Sequence, residues 1–120
     1  MIFDRPTSSE LIKAVIDFLE TKIKHELPAH LAFKIRITNN VLGMVQREID
    51  QGEQLSEEVI EVMSNLINSD EATTKKLSDL IKNGDLDLTD NKLKELLVLL
   101  SKNKIAIDNP NYSTYKKLIK

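Results

Sequence analysis

LAFKIRITNNVLGMVQREI, Leu31 to Ile49, is the stretch whose reading decides the fold. At about 100° per residue, Leu31, Ile35, Leu42, Val45 and Ile49 fall on one stripe of a helix. Phe33, Ile37, Val41 and Met44 fall on a second stripe beside it. More than half of this helix is apolar, which predicts the central, most buried element. Pro28 sets its start, because the residue before a proline is pushed out of the helical region. Its expected stop is Gly52, just after Gln51.

Outward from this helix the chain stays helical. Thr7-Ser8-Ser9-Glu10 has the form of a capping box, with the Thr7 hydroxyl and the Glu10 side chain satisfying each other's backbone amides. Leu11, Ile12, Val15, Ile16, Phe18, Leu19 and Ile23 then recur at helical spacing, so a first amphipathic helix is expected over 8–26. After Gly52, Ser56 caps an expected third helix carrying Val59, Ile60, Val62, Met63, Leu66 and Ile67. Asn68-Ser69-Asp70 interrupts the pattern. A short fourth helix bears Leu77, Leu80 and Ile81, and Asn83-Gly84 ends it; a β-hairpin at that dipeptide is the alternative. Thr89-Asp90 caps a fifth helix through about Ile107, with Leu93, Leu96, Leu97, Leu100 and Ile107 on its main stripe. Pro110 forbids normal continuation. The reading is an all-α fold: a compact bundle of about five helices, mostly antiparallel. One domain is expected over 1–113, with a C-terminal tail over 114–120, either loose or one extra turn.

Bulk properties narrow the function. The chain has 120 residues, 17 basic and 19 acidic, for a formal net charge of -2. That balance offers no broad positive field, so nucleic acid is not an expected partner. There is no cysteine, which excludes disulfide and thiolate chemistry. The start, MIFDRPTSSE, lacks a basic segment followed by an apolar one, so no signal peptide is expected. The longest apolar run, Leu96 to Leu100, is far short of the ~20 residues that span a bilayer. A cytoplasmic protein without a membrane partner is the expectation. His25-Glu26-Leu27-Pro28-Ala29-His30 looks like a zinc-protease motif, but that geometry needs His at i and i+4 on one helical face. Here the gap is five with a proline inside. No Gly-x-Ser-x-Gly elbow, phosphate-cradling glycine loop or dinucleotide fingerprint is present. No catalytic residue, cofactor or metal is therefore assigned, and an enzyme is not expected.

One polar constellation is less ordinary. Arg36, Asn40, Gly43 and Arg47 share a face of the second helix. A glycine there costs ~1 kcal/mol against alanine and offers a flat spot for another backbone. Two arginines beside it would clamp a carboxylate or phosphate. A solvated face with one tolerated glycine accounts for the same residues. In a third reading, Arg36 and Asn40 fold inward and tie Asp4 and Asp108, near the two chain ends, to this helix.

Three segments carry a resemblance: Asp4-Arg5-Pro6-Thr7, Phe33 to Leu42 (FKIRITNNVL) and Ile105 to Tyr112 (IAIDNPNY). In this order and spacing, over about residues 3–113, the chain resembles a family of small bacterial helical proteins known as a domain of unknown function. Its members are typically encoded beside aminoglycoside-phosphotransferase-like kinases and acyl-CoA dehydrogenases. The resemblance implies an accessory subunit of a kinase that phosphorylates hydroxyacyl-CoA thioesters. It implies no catalytic residues. It marks Asp4, Arg5, Arg36, Asn40, Asp108, Asn109 and Tyr112 as a partner interface or an architectural polar cluster, and these segments are expected to meet. The chain departs from other members in its richness in Lys, Asn and Ile and in the extension TYKKLIK past Ser113.

Three functional readings follow. The first is the non-catalytic accessory subunit bound to a phosphotransferase-like kinase. The second is a helical domain that binds or senses an anionic ligand such as a CoA thioester through Arg36, Arg47, Lys116 and Lys117. The third is a homodimeric structural protein, with an exposed apolar stripe on the third or fifth helix.

Overall fold

The computed structural model describes Ile2 and residues 4–120. The described residues form five α-helices and no strand: α1 Ser8–Phe18, α2 Ala29–Ile67, α3 Thr74–Lys82, α4 Asn91–Asp108 and α5 Ser113–Leu118. The all-helical reading holds. Contacts group into two compact units, Met1–Gly52 and Glu53–Lys120.

The main departure from the sequence reading is α2. The expected second and third helices are one helix of 39 residues, running through both Gly52 and Ser56. Gly52 does not take the left-handed conformation that ends helices; of the described glycines only Gly84 has positive φ. Without that turn, a glycine is only a local cost of ~1 kcal/mol. A ladder already formed on both sides outweighs it, because adding a residue to a helix is easier than nucleating a new one.

In the first unit, α1 starts as the capping pattern requires. The Thr7 hydroxyl accepts from the Glu10 amide at 3.1 Å. The Glu10 carboxylate does not reach back to Thr7; it pairs with Arg5 at 3.2 Å. The segment expected to remain one helix to residue 26 changes winding on the way. A π-helical turn covers Leu19–Ile23 and a 3-10 turn covers Lys24–Glu26. The Thr21 hydroxyl donates to the Asp17 carbonyl, a back-bond that competes with the α-helical ladder. Leu27 is extended ahead of Pro28, and the Pro28 carbonyl accepts the first amides of α2.

The first part of α2 returns antiparallel to α1. Ser9 Oγ donates to Asp50 at 3.1 Å, and Gln46 Nε2 donates to Ser9 Oγ at 3.4 Å. Asn39 Nδ2 donates to Glu20 Oε2 at 3.1 Å. Partners on α2 fall in number as those on α1 and its extension rise, which fixes the antiparallel sense. Glu20 also accepts from Lys24 at 2.7 Å.

In the second unit, Met63, Leu77, Leu93 and Leu96 form a buried cluster from α2, α3 and α4. Val59, Leu66, Ile67, Ala72, Ile81, Leu86 and Leu100 pack around it. Asn103 is buried on the same stripe of α4 as Leu96 and Leu100, and donates to the Leu55 carbonyl at 2.9 Å and Glu58 Oε2 at 3.1 Å. Pairing of 103 with 55 and 58, and of 93 and 96 with 63, makes α4 antiparallel to the end of α2. Thr73 caps α3 and Asp90 caps α4.

Asn83-Gly84 is a helix end and not a hairpin. Gly84, at φ 83, donates to the Ile81 carbonyl and Asp85 donates to Leu80, the paired bonds of a Schellman motif. Leu86 then folds onto the core. Asn68, at φ 53, ends α2 in a related way, with Ser69 N–H on the Ser64 carbonyl. The last residues are not a loose tail: α5 occupies Ser113–Leu118 and contacts α4.

The two glycines therefore predict opposite responses. Gly52→Ala adds a Cβ 3.3 Å from the flexible Glu48 side chain and should stabilise by about 0.5–1 kcal/mol. Gly84→Ala forces a side chain into left-handed backbone and should destabilise by about 1 kcal/mol. Urea denaturation checks both signs, and the reverse order would contradict a continuous α2.

The hairpin tie at Glu20 carries a pH prediction. Hydrogen bonds from Lys24 and then Asn39 hold its carboxyl below its ordinary value of 4.5. A carboxylate with a depressed folded pKa contributes stability above the unfolded value, and loses it as pH falls through the folded one. Glu20→Gln should therefore show a shallower loss of stability between neutral pH and about pH 3 than the parent. Parallel acid titrations followed by circular dichroism measure this.

Candidate docking surface

The first unit has an unusual balance of burial. None of its described residues is buried. Ile12, Ile16, Leu19 and Ile23 are half-buried, as are Leu31, Ile35 and Leu42 of α2. In its helices eight large apolar side chains stay exposed: Leu11, Val15 and Phe18 of α1, and Phe33, Ile37, Val41, Val45 and Ile49 of α2. This corrects the expectation that Leu31–Ile49 is the most buried element. The only buried residue of α2 is Met63, in the other unit.

Helical geometry places these residues. Leu11, Val15 and Phe18 follow i, i+4, i+7 spacing and form one ridge. On α2, Asn39, Gln46 and Asp50 face α1, as their hydrogen bonds require. At 100° per residue, Phe33, Ile37 and Val41 lie roughly 160° round the helix from them. The α2 stripe therefore points away from α1. Isolated exposed apolar residues are ordinary, but continuous stripes of this kind mark interaction surfaces.

The residues singled out in the sequence fall into two groups. Asp4, Arg5, Arg36 and Asn40 belong to the first unit; Asp108, Asn109 and Tyr112 belong to the second. Arg5 is engaged with Glu10, while Asp4, Arg36 and Asn40 are exposed. Gly43 is not the open flat spot expected of it. The Arg47 guanidinium lies over it, 3.2 Å from where a Cβ would stand.

Near the end of the chain, local roles are visible. Asp108 accepts from Lys104 one turn earlier at 3.2 Å. Asn109 leaves the helical conformation, its N–H still on the Ile105 carbonyl. Its carbonyl then accepts from Tyr112, whose own carbonyl accepts from Lys116 to start α5. This segment ends one helix and starts the next.

Two features escaped the sequence reading. Asn103 is a polar residue in register with the leucine stripe of α4, and that misfit was the available signal. The other is a cleft of about 600 Å³ beside α3, lined by residues including Asp70, Glu71, Lys75, Lys76 and Asp79. Three carboxylates and two lysines line it, so it presents no single sign of charge. No group of three or more His, Asp or Glu suited to a metal occurs among the described residues. No helix among them is long and apolar enough to cross a membrane.

Comparison with known proteins identifies a domain of unknown function. No curated protein and no solved structure matches the chain. A family model described as a domain of unknown function, DUF6285, matches residues 25–112. The match takes in Arg36, Asn40, Asp108, Asn109 and Tyr112, and leaves out α1 with Asp4 and Arg5. Since the matched residues are well over half of its length, the chain belongs to the DUF6285 family.

Proposed function

We propose that the protein is a non-catalytic, cytoplasmic accessory subunit that binds an aminoglycoside-phosphotransferase-like kinase acting in hydroxyacyl-CoA catabolism. The observation that carries the accessory role is the first unit: a helical hairpin with no buried described residue and eight exposed large apolar side chains. Such a surface gains free energy when another protein removes it from water, at about 25 cal/mol per Å² of apolar area. The kinase as partner is supported by the resemblance carried by Asp4-Arg5, Phe33–Leu42 and Ile105–Tyr112. The ridge Leu11, Val15 and Phe18 is the proposed contact, because three anchors at this spacing suit a groove between partner helices. In this role the subunit stabilises the kinase or orders its acyl-CoA site, and donates no chemical group to the reaction.

Co-expression with a phosphotransferase-like kinase of the same genome, followed by size exclusion, tests the reading. Co-elution and kinase activity that depends on the subunit are expected. The double variant Val15→Asp, Phe18→Asp should keep its helical circular dichroism, since both sites are exposed, and weaken association at least tenfold. Separate elution, together with kinase turnover indifferent to the subunit, would overturn it.

A further inference from the structure

We propose that the exposed stripe of α2 is a two-fold dimerisation seam, and that its occupant is a second copy of this chain paired antiparallel about Val41. This goes beyond the accessory reading and does not rest on it, since it concerns the purified chain alone.

The argument starts from spacing. Lys34, Ile37, Val41, Met44 and Glu48 alternate steps of three and four residues. That is the repeat of a coiled-coil seam, in which helices cross at about 20°. Phe33 and Val45 flank it on either side, roughly 60° away. Phe33, Ile37, Val41 and Val45 are all exposed, with Phe33 at 59% and Val41 at 53%.

The seam is also complementary to itself. In a two-fold interface, residue i meets residue j of the second copy, and j meets i. Lys34 and Glu48 lie seven residues on either side of Val41. Antiparallel pairing about Val41 therefore sets each Lys34 beside Glu48 of the second copy, twice per dimer. The same register sets Ile37 level with Val45 of the second copy. A parallel pairing in register would instead face like charge with like. Among the described residues no ion pair uses Lys34 or Glu48, and both are exposed.

The charge of the unit agrees. Residues 1–52 hold seven Lys or Arg and seven Asp or Glu, so this unit has no net charge to oppose its own copy. A seam of a few exposed apolar side chains is small against the ~800 Å² per partner of a standard interface, so a reversible dimer is expected.

Sedimentation velocity on the purified chain over a concentration series tests the proposal. A monomer–dimer equilibrium is expected. Lys34→Glu and Glu48→Lys should each weaken dimerisation about tenfold, because each introduces two like-charge contacts. Combining them restores both pairs with the signs exchanged and should return most of the affinity, which a merely structural effect would not do. Because the chain has no cysteine, Val41→Cys creates a single thiol at the two-fold axis. A short bifunctional thiol reagent should link it into a dimer, whereas Lys75→Cys should stay unlinked. A chain that stays monomeric throughout overturns the proposal. So does a dimer that ignores the charge variants or is not trapped through position 41.

Discussion

The unbroken hydrogen-bond ladder of α2, Ala29 to Ile67, is the constraint on which the other features depend. It passes through Gly52, the last residue of the first unit, and through Ser56 of the second. The two parts of that helix are used differently. Beyond Gly52, Met63 closes against Leu77, Leu93 and Leu96 in a buried cluster. Before it, among the described residues of the first unit, α2 meets α1 and its extension, and large apolar residues stay exposed.

That contrast in burial leads to function. About fifty residues are too few to bury a high fraction of their own surface. The ties that hold the hairpin, such as Glu20 with Asn39 and Lys24, or Ser9 with Asp50, are exposed, and exposed polar pairs contribute little net stability. The free energy that would fix this unit firmly lies in the apolar stripes still in water. A protein surface that covers them would complete the unit, whether it belongs to a partner or to a second copy. The two stripes divide the work on this account: the ridge of α1 for the partner, and the seam of α2 for self-association.

Much of the fold was legible because it is written in local chemistry. Thr7 and Asp90 read as caps and act as caps. Gly84 read as a helix end, and its left-handed backbone together with Leu86 folding onto the core shows why a hairpin does not form. Gly52 misled because glycine ends a helix only by adopting positive φ, and nothing in the sequence states its φ. Burial of the second helix was also misread. Periodicity shows that Phe33, Ile37 and Val41 share a face, but not whether the same chain covers it. The polar motif residues were legible as chain-end and helix positions. Asp108, Asn109 and Tyr112 have local roles in ending α4 and starting α5, which Pro110 announced. Asn103 stands out as a misfit in the leucine stripe, but the pattern does not show the Leu55 carbonyl and Glu58 that satisfy it.

Hydrogen exchange resolved by segment tests the division of the chain most directly. Local opening free energies follow buried apolar contact. In dilute solution, where self-association is weak, amides of α1 and of residues 31–50 should exchange much faster than those around Met63, Leu77, Leu93 and Leu96. Raising the protein concentration should slow exchange over 31–50 selectively. Equal protection of both units at every concentration would contradict the account.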